Sequence, residues 1–262
     1  MIQLPEVKYQ EIDDKLPLRI FEYQHRAMKP NVDLLVAITA RNAIYDERNP
    51  ETKIDIAAVC LRDCMDVSCQ VIYALRKANE NLLWYREENA KAPLEIEACW
   101  YSKFYADDAA LRLYAAAEHI ANFIIAFMNI QGDDLNNKKG NASVASTVGK
   151  YMNKKHPDHI ISKSINKLLK NDSWLKTIEY RNQWVHEQPP LIEGQGIVYE
   201  RKSRLKTNGM NFVVGLTTGD KPDLTIDSLL SMVTNATNDF ACLLDNIIVV
   251  WFSHIDSLGI SI

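Results

Sequence analysis

An arginine, an asparagine and a histidine stand within the stretch "YRNQWVHEQPP" at 180–190. Arg181 supplies a guanidinium that never loses its charge, Asn182 an amide, and His186 the side chain whose ordinary pKa lies nearest neutrality. Pro189 and Pro190 follow. A proline ring offers no N–H and disfavours helical geometry in the residue before it, so a helix carrying these residues ends here, with His186 in its final turn. The partial negative charge of a helix C-terminus favours a protonated imidazole, and an imidazole titrating near neutrality can exchange protons with a reacting hydroxyl or a leaving group. Asn182 and His186, four apart, share a helix face; five residues turn through about 140°, so Arg181 reaches around with its long side chain or the helix distorts.

Other chemistries find less support. A di-iron carboxylate site needs Glu-x-x-His on two helices, and the chain has it once, at Glu22 and His25. His156 and His159 flank "PD" with no obvious third ligand, so a metal centre is not expected, nor any cofactor. There is no P-loop, no GxGxxG and no GxSxG.

Arginine followed by histidine at this range occurs three times: Arg19 to His25, Arg112 to His119, and Arg181 to His186. Only the third has a polar residue directly after the arginine, Asn182, where Ile20 and Leu113 follow the others. Arg181-Asn182-x-x-x-His186, late in a third helical layer and before a last long helix, resembles the signature of the HEPN superfamily, the "higher eukaryotes and prokaryotes nucleotide-binding" helical domains. The resemblance spans about residues 55–258 as architecture, and its specific content is those three residues and their position. It implies a metal-independent endoribonuclease acting as a dimer, with a role in toxin or defence systems and an antitoxin or regulatory protein as a further partner. It also implies an acidic residue in the second helix, for which Glu118 in "AAAEHIANF" is the candidate. Cleavage of RNA by its own 2′-hydroxyl needs a base, an acid, and positive charge on the pentacoordinate phosphate. His186 is then the acid–base group, Arg181 stabilises the phosphorane, and Asn182 positions the histidine or the phosphate. One motif per chain supplies half of that set, and two facing each other across a two-fold axis supply all of it. The alternative is a non-catalytic HEPN-like module that binds a nucleotide or a protein, with Arg181 paired to Glu179 or Glu187.

Charge is unevenly spread. The net charge is −4, yet Lys138 to Lys206 holds 14 Lys and Arg against 6 Asp and Glu, leaving 16 against 28 elsewhere. Lys163, Lys167 and Lys170 repeat at four and three and form one stripe; Arg201, Lys202, Arg204 and Lys206 cluster after the motif; Lys154 and Lys155 precede it. These residues are the candidate contacts to an RNA backbone, which makes binding salt-dependent; a solvated face and internal charge balance are the bland accounts. Trp174, Tyr180 and Trp184 bracket the motif and either stack on unpaired bases or, more commonly for aromatics at helical spacing, belong to core.

The elements that must position these residues are mostly helical. Ile56, Cys60, Cys64, Val67, Val71, Leu75, Ala78, Leu82 and Tyr85 keep spacings of three and four, and so do Tyr105, Ala109, Leu113, Ala116, Ile120, Phe123, Phe127 and Ile130. Two long helices result, expected to pack as an antiparallel pair. Shorter helices are predicted at about 142–154, 158–170 and 173–187, with "NDS" at 171–173 as cap, and a last long one from "PDLTIDSLL" to about Ser257. "TNG" between "GIVYERKSRLK" and "MNFVVGL" predicts a β-hairpin over about 196–217. The expected fold is mainly α: a helical bundle of four principal layers over 55–262, a hairpin insertion before the last helix, and an N-terminal appendage (1–54) with a short helix at 31–45. No basic, apolar leader opens the chain and no apolar run is long, so a cytoplasmic protein is expected, its five cysteines reduced and without a CxxC pair.

Overall fold

The computed structural model describes residues 6–17, 53–87, 94–135, 143–186, 190, 192, 204–207, 210–213 and 222–258. The short helix expected at 31–45 lies outside them. The described chain is mainly helical, a bundle built on two 34-residue helices, α2 (Ile54–Glu87) and α3 (Leu94–Phe127). Each is about 50 Å long at 1.5 Å per residue. They run antiparallel: Lys53 N–H donates to the Ala126 carbonyl at 3.3 Å, and midway the Arg112 guanidinium donates to the Gln70 amide oxygen. Small side chains let them approach closely, since Ala57, Ala58, Ala74 and Ala78 of α2 and Ala106, Ala109, Ala110 and Ala117 of α3 are all buried. The predicted stripe of α2 holds from Cys60 to Leu82, but its ends differ: Ile56 and Tyr85 are exposed, and Ile54, Ala57, Ala58 and Leu61 carry the core at the N-terminal end.

The C-terminus of α3 closes in a way the apolar stripe concealed. Asn129 takes φ 47°, the left-handed conformation asparagine tolerates, and Ile130 N–H reaches back to Ile125 O (2.9 Å) while Asn129 N–H reaches Ala126 O (3.2 Å). These two bonds form a Schellman cap, which tucks Ile130 into the core as the helix stops.

Preceding this pair, α1 (Glu6–Asp13) packs on α2, with Ile12 and Leu16 buried and Asp13 bridged to Arg76 at 2.6 Å. Beyond α3, Val144–Val148 forms a single π-helical turn that leads into α4 (Gly149–Lys155). Ser143 caps the turn through Ser146 N–H, and the Thr147 hydroxyl exchanges bonds with the Ser143 backbone. The wide turn needs glycine at its exit, because a Cβ on Gly149 would stand 2.2 Å from the Val144 carbonyl oxygen. Helix α5 (Ile160–Leu169) is capped by His159, whose Nδ1 accepts Ile161 N–H at 3.2 Å, and α6 (Asp172–His186) by Asn171, whose Oδ1 accepts Trp174 N–H at 3.1 Å.

The last helix, α7 (Ile226–Ser257), opens with a capping box between Thr225 and Ser228. It runs antiparallel to α2, its start held by an ion pair of Asp227 with Arg86 and its end by Trp251, edge-on to Phe123 at 5.5 Å. By length and hydropathy α7 could cross a membrane, which short uninterrupted apolar runs did not reveal; Leu229, Val233, Phe240, Leu243, Ile247 and Trp251 are buried in the bundle. Within the stretch expected to form a hairpin, β1 (Arg204–Thr207) and β2 (Met210–Val213) pair antiparallel, and Asn208 and Gly209 lie outside the described residues. None of the five cysteines is in a disulfide.

Candidate functional site

Helix α6 is anchored by one face. Trp174, Thr177 and Tyr180 are buried, Trp174 stacking on Phe240 of α7 at 6.1 Å. Tyr180 O–H donates to Asp107 Oδ1 of α3 at 2.5 Å, and the other oxygen of that carboxylate takes the Lys103 ammonium at 2.6 Å. Burial and then the Asp107 charge push the Tyr180 phenol far up, so the hydroxyl stays a donor. Trp174 and Tyr180 therefore serve the core: at 4 % and 3 % exposure neither face is open to a base, and only Trp184, at 39 %, retains a free surface.

The residue after this anchor is Arg181. Its guanidinium carbon lies 4.1 Å from the centre of the Tyr114 ring of α3, a cation–π stack, and Nη1 donates to Asn182 Oδ1 at 3.0 Å. Its Nε is buried with no hydrogen-bond partner, and no carboxylate lies within ion-pair distance of Arg181, among the described residues. Glu118 sits one turn along α3 from Tyr114; burial first, then the Glu118 charge, raises the phenol's pKa, while Arg181 works the other way. The rival Arg112 is engaged with Asp108 of its own helix at 2.7 Å, and Arg19 and His25 lie outside the described residues.

Tyr114 and Glu118 form one wall of a groove of about 540 Å³. Its other walls come from the second half of the site: Trp174, Leu175, Ile178, Glu179, Asn182 and Gln183 of α6, Leu169 of α5, and Ser143 and Val144 at the π turn. The structure thus joins three of the sequence's candidates, Arg181, Asn182 and Glu118, around Tyr114. His186 does not line this groove; it is exposed in the last turn of α6. The helix stays regular through His186, so the distortion that would align it with Arg181 does not occur.

The lysines divide. Lys154 and Lys155 are exposed in the last turn of α4. Lys163, Lys167 and Lys170 are exposed on α5, Lys163 lying 3.7 Å from Asp158. Lys167 borders a small cleft with Asp239 and Cys242 of α7, whereas Leu169, about 200° around the helix, faces the groove. The stripe and the groove therefore open on different sides. Arg201 and Lys202 lie outside the described residues, as do the side chains of Arg204 and Lys206.

Sequence reasoning missed Tyr114, the Tyr180–Asp107–Lys103 network and the π turn. The four-residue spacing of Tyr114 and Glu118 was a usable signal; the pairing of Tyr180 with Asp107, 73 residues away, had none. Among the described residues no three His, Cys, Asp or Glu side chains converge as metal ligands. No protein-family model, curated protein or solved structure matches the chain.

Proposed function

We propose that this chain is a metal-independent endoribonuclease of HEPN type, cleaving RNA through its 2′-hydroxyl as a dimer. The observation that carries the reading is the state of Arg181. It is a guanidinium fixed on Tyr114 and Asn182, unpaired with any described carboxylate, five residues before an exposed imidazole at a helix C-terminus. A cation held in place without a counter-ion among the described residues suits a phosphate, which a guanidinium meets with two parallel N–H donors. His186 is the acid–base group, Asn182 orients the arginine, and Glu118 fixes Tyr114 beneath it. Because Arg181 and His186 lie about 140° apart on a regular helix, the arginine of one protomer and the histidine of its partner act together on one phosphate. The hairpin before α7, the four-layer HEPN arrangement and an RNA-binding role for the basic residues belong to this reading, as do a cytoplasmic setting and restraint by an antitoxin or regulator.

A second reading keeps nucleotide or protein binding without cleavage. It is favoured by one observation: the groove that includes Glu118 and Asn182 does not include His186. The test is incubation with mixed RNA in EDTA, comparing the intact protein with Arg181→Ala and His186→Ala. Cleavage leaving 2′,3′-cyclic phosphate ends, lost in both variants, supports the first reading. Equal cleavage by the variants and the intact protein refutes the assignment.

A further inference from the structure

We infer that the groove between α3 and α6 is a base pocket selective for unpaired guanine, beside the phosphate position at Arg181; the inference rests on the reading that the chain binds RNA.

The groove's chemistry argues against a phosphate inside it. Glu118 and Glu179 are its charged residues, and Arg181, though adjacent, turns its guanidinium onto Tyr114. Two carboxylates repel an anion and accept hydrogen bonds from a neutral, donor-rich ligand. The remaining lining is largely apolar, contributed by Leu175 and Ile178 of α6 with Ala117, Val144 and Leu169. Apolar walls with a few converging polar groups are what a flat heterocycle needs, and unpaired bases are read on their Watson–Crick edges.

Base identity follows from the donor pattern. A carboxylate takes two parallel N–H bonds in the manner of an arginine fork. Guanine presents adjacent N1–H and N2–H₂ donors to such a group. Adenine and cytosine each place a ring acceptor beside their amino group, and uracil flanks its N3–H with two carbonyls, so a carboxylate meets repulsion at all three. Glu118, half-buried and held near Tyr114, is the fixed carboxylate; the Asn182 and Gln183 amides also line the groove and can donate to O6 and N7. Arg181 then lies where the nucleotide's phosphate emerges.

The experiment is calorimetric titration of the full chain with the four nucleoside 5′-monophosphates, whose shared phosphate cancels in the ratio. Guanosine monophosphate is expected to bind about 5- to 150-fold tighter than the others, the range a bidentate base contact supplies. Glu118→Gln is expected to abolish that preference. Leu175→Trp, at an exposed groove residue that tolerates size, is expected to block binding with the fold intact by circular dichroism. Equal affinities, an unchanged preference in Glu118→Gln, or tighter binding of spermidine than of guanosine monophosphate would overturn the inference, the last by making the groove a site for cations. Guanine-selective binding without RNA cleavage keeps the inference and sinks the catalytic reading; cleavage without guanine selectivity does the reverse.

Discussion

Tyr180→Phe tests how the site is held. The substitution removes one hydroxyl and leaves the ring's packing in place, so it isolates the bond to Asp107. That bond runs between a phenol 3 % exposed and a carboxylate 7 % exposed, at 2.5 Å, with Lys103 on the other oxygen at 2.6 Å. A hydrogen bond to a charged acceptor contributes about 1.5–3 kcal/mol, more than a neutral one, because the carboxylate's desolvation is otherwise left uncompensated. Bulk water cannot replace the hydroxyl at a site this buried. The expected loss is about 2 kcal/mol, or about 4–8 °C in Tm for a chain of this size. Urea denaturation followed by circular dichroism measures it, and a double-mutant cycle with Asp107→Asn should return a coupling of at least about 1 kcal/mol. A loss under about 0.5 kcal/mol with no coupling would refute the claim that this network, one residue from Arg181, fixes the register of α6 against α3.

Two further substitutions probe the groove's surroundings. Gly149→Ala forces a Cβ against the Val144 carbonyl oxygen at 2.2 Å, and since the helix backbone there has little room to yield, a loss of about 1–3 kcal/mol is expected. Gly132→Ala, with nothing within 4 Å of the added Cβ, serves as the neutral comparison in the same thermal melts. The cap of α5 predicts a pH dependence. Burial first, then His156, lowers the His159 pKa below its ordinary 6.5, so the folded state binds fewer protons than the unfolded one. Stability is fully present above that value and falls as pH drops below it. Burial lowers His254 in the same sense. Urea midpoints measured down to about pH 5 should decline, and His159→Asn, which keeps a capping acceptor without titrating near neutrality, should shrink the decline to the part His254 carries.

What the sequence revealed depended on periodicity and local chemistry. The apolar spacing of Cys64, Val71, Leu75 and Ala78 located α2, and that of Ala109, Leu113, Ala116 and Ile120 located α3, because a helix burying one side writes its period into the chain. Asn171 before α6 was readable for the same reason: a cap acts within three residues. The site was legible only in part. Arg181, Asn182 and Glu118 were identifiable as residues, but the stack of Arg181 on Tyr114 joins positions 67 apart, and no local rule connects them. The π turn was hidden because "SVASTVG" satisfies an ordinary helix pattern, and Gly149 declares its purpose only once the Val144 carbonyl is in place. The lysine stripe shows the opposite limit. Its spacing was read correctly, yet which neighbour its face meets, Asp239 on α7 rather than the groove, is a property of packing.

Helix α6 passes from one regime of local stability to another within six residues. Through Trp174, Thr177 and Tyr180 it is tied to the core, whereas Trp184, Val185 and His186 are exposed and their turn can fray at little cost to the rest. The two ends of the motif therefore sit on different rungs of the molecule's opening hierarchy. Arg181 inherits its precision from the body of the protein, and the exposed His186 does not. On the proposed dimeric reading, assembly would supply the order that this imidazole lacks, and the free energy of that ordering would appear as a concentration threshold for activity.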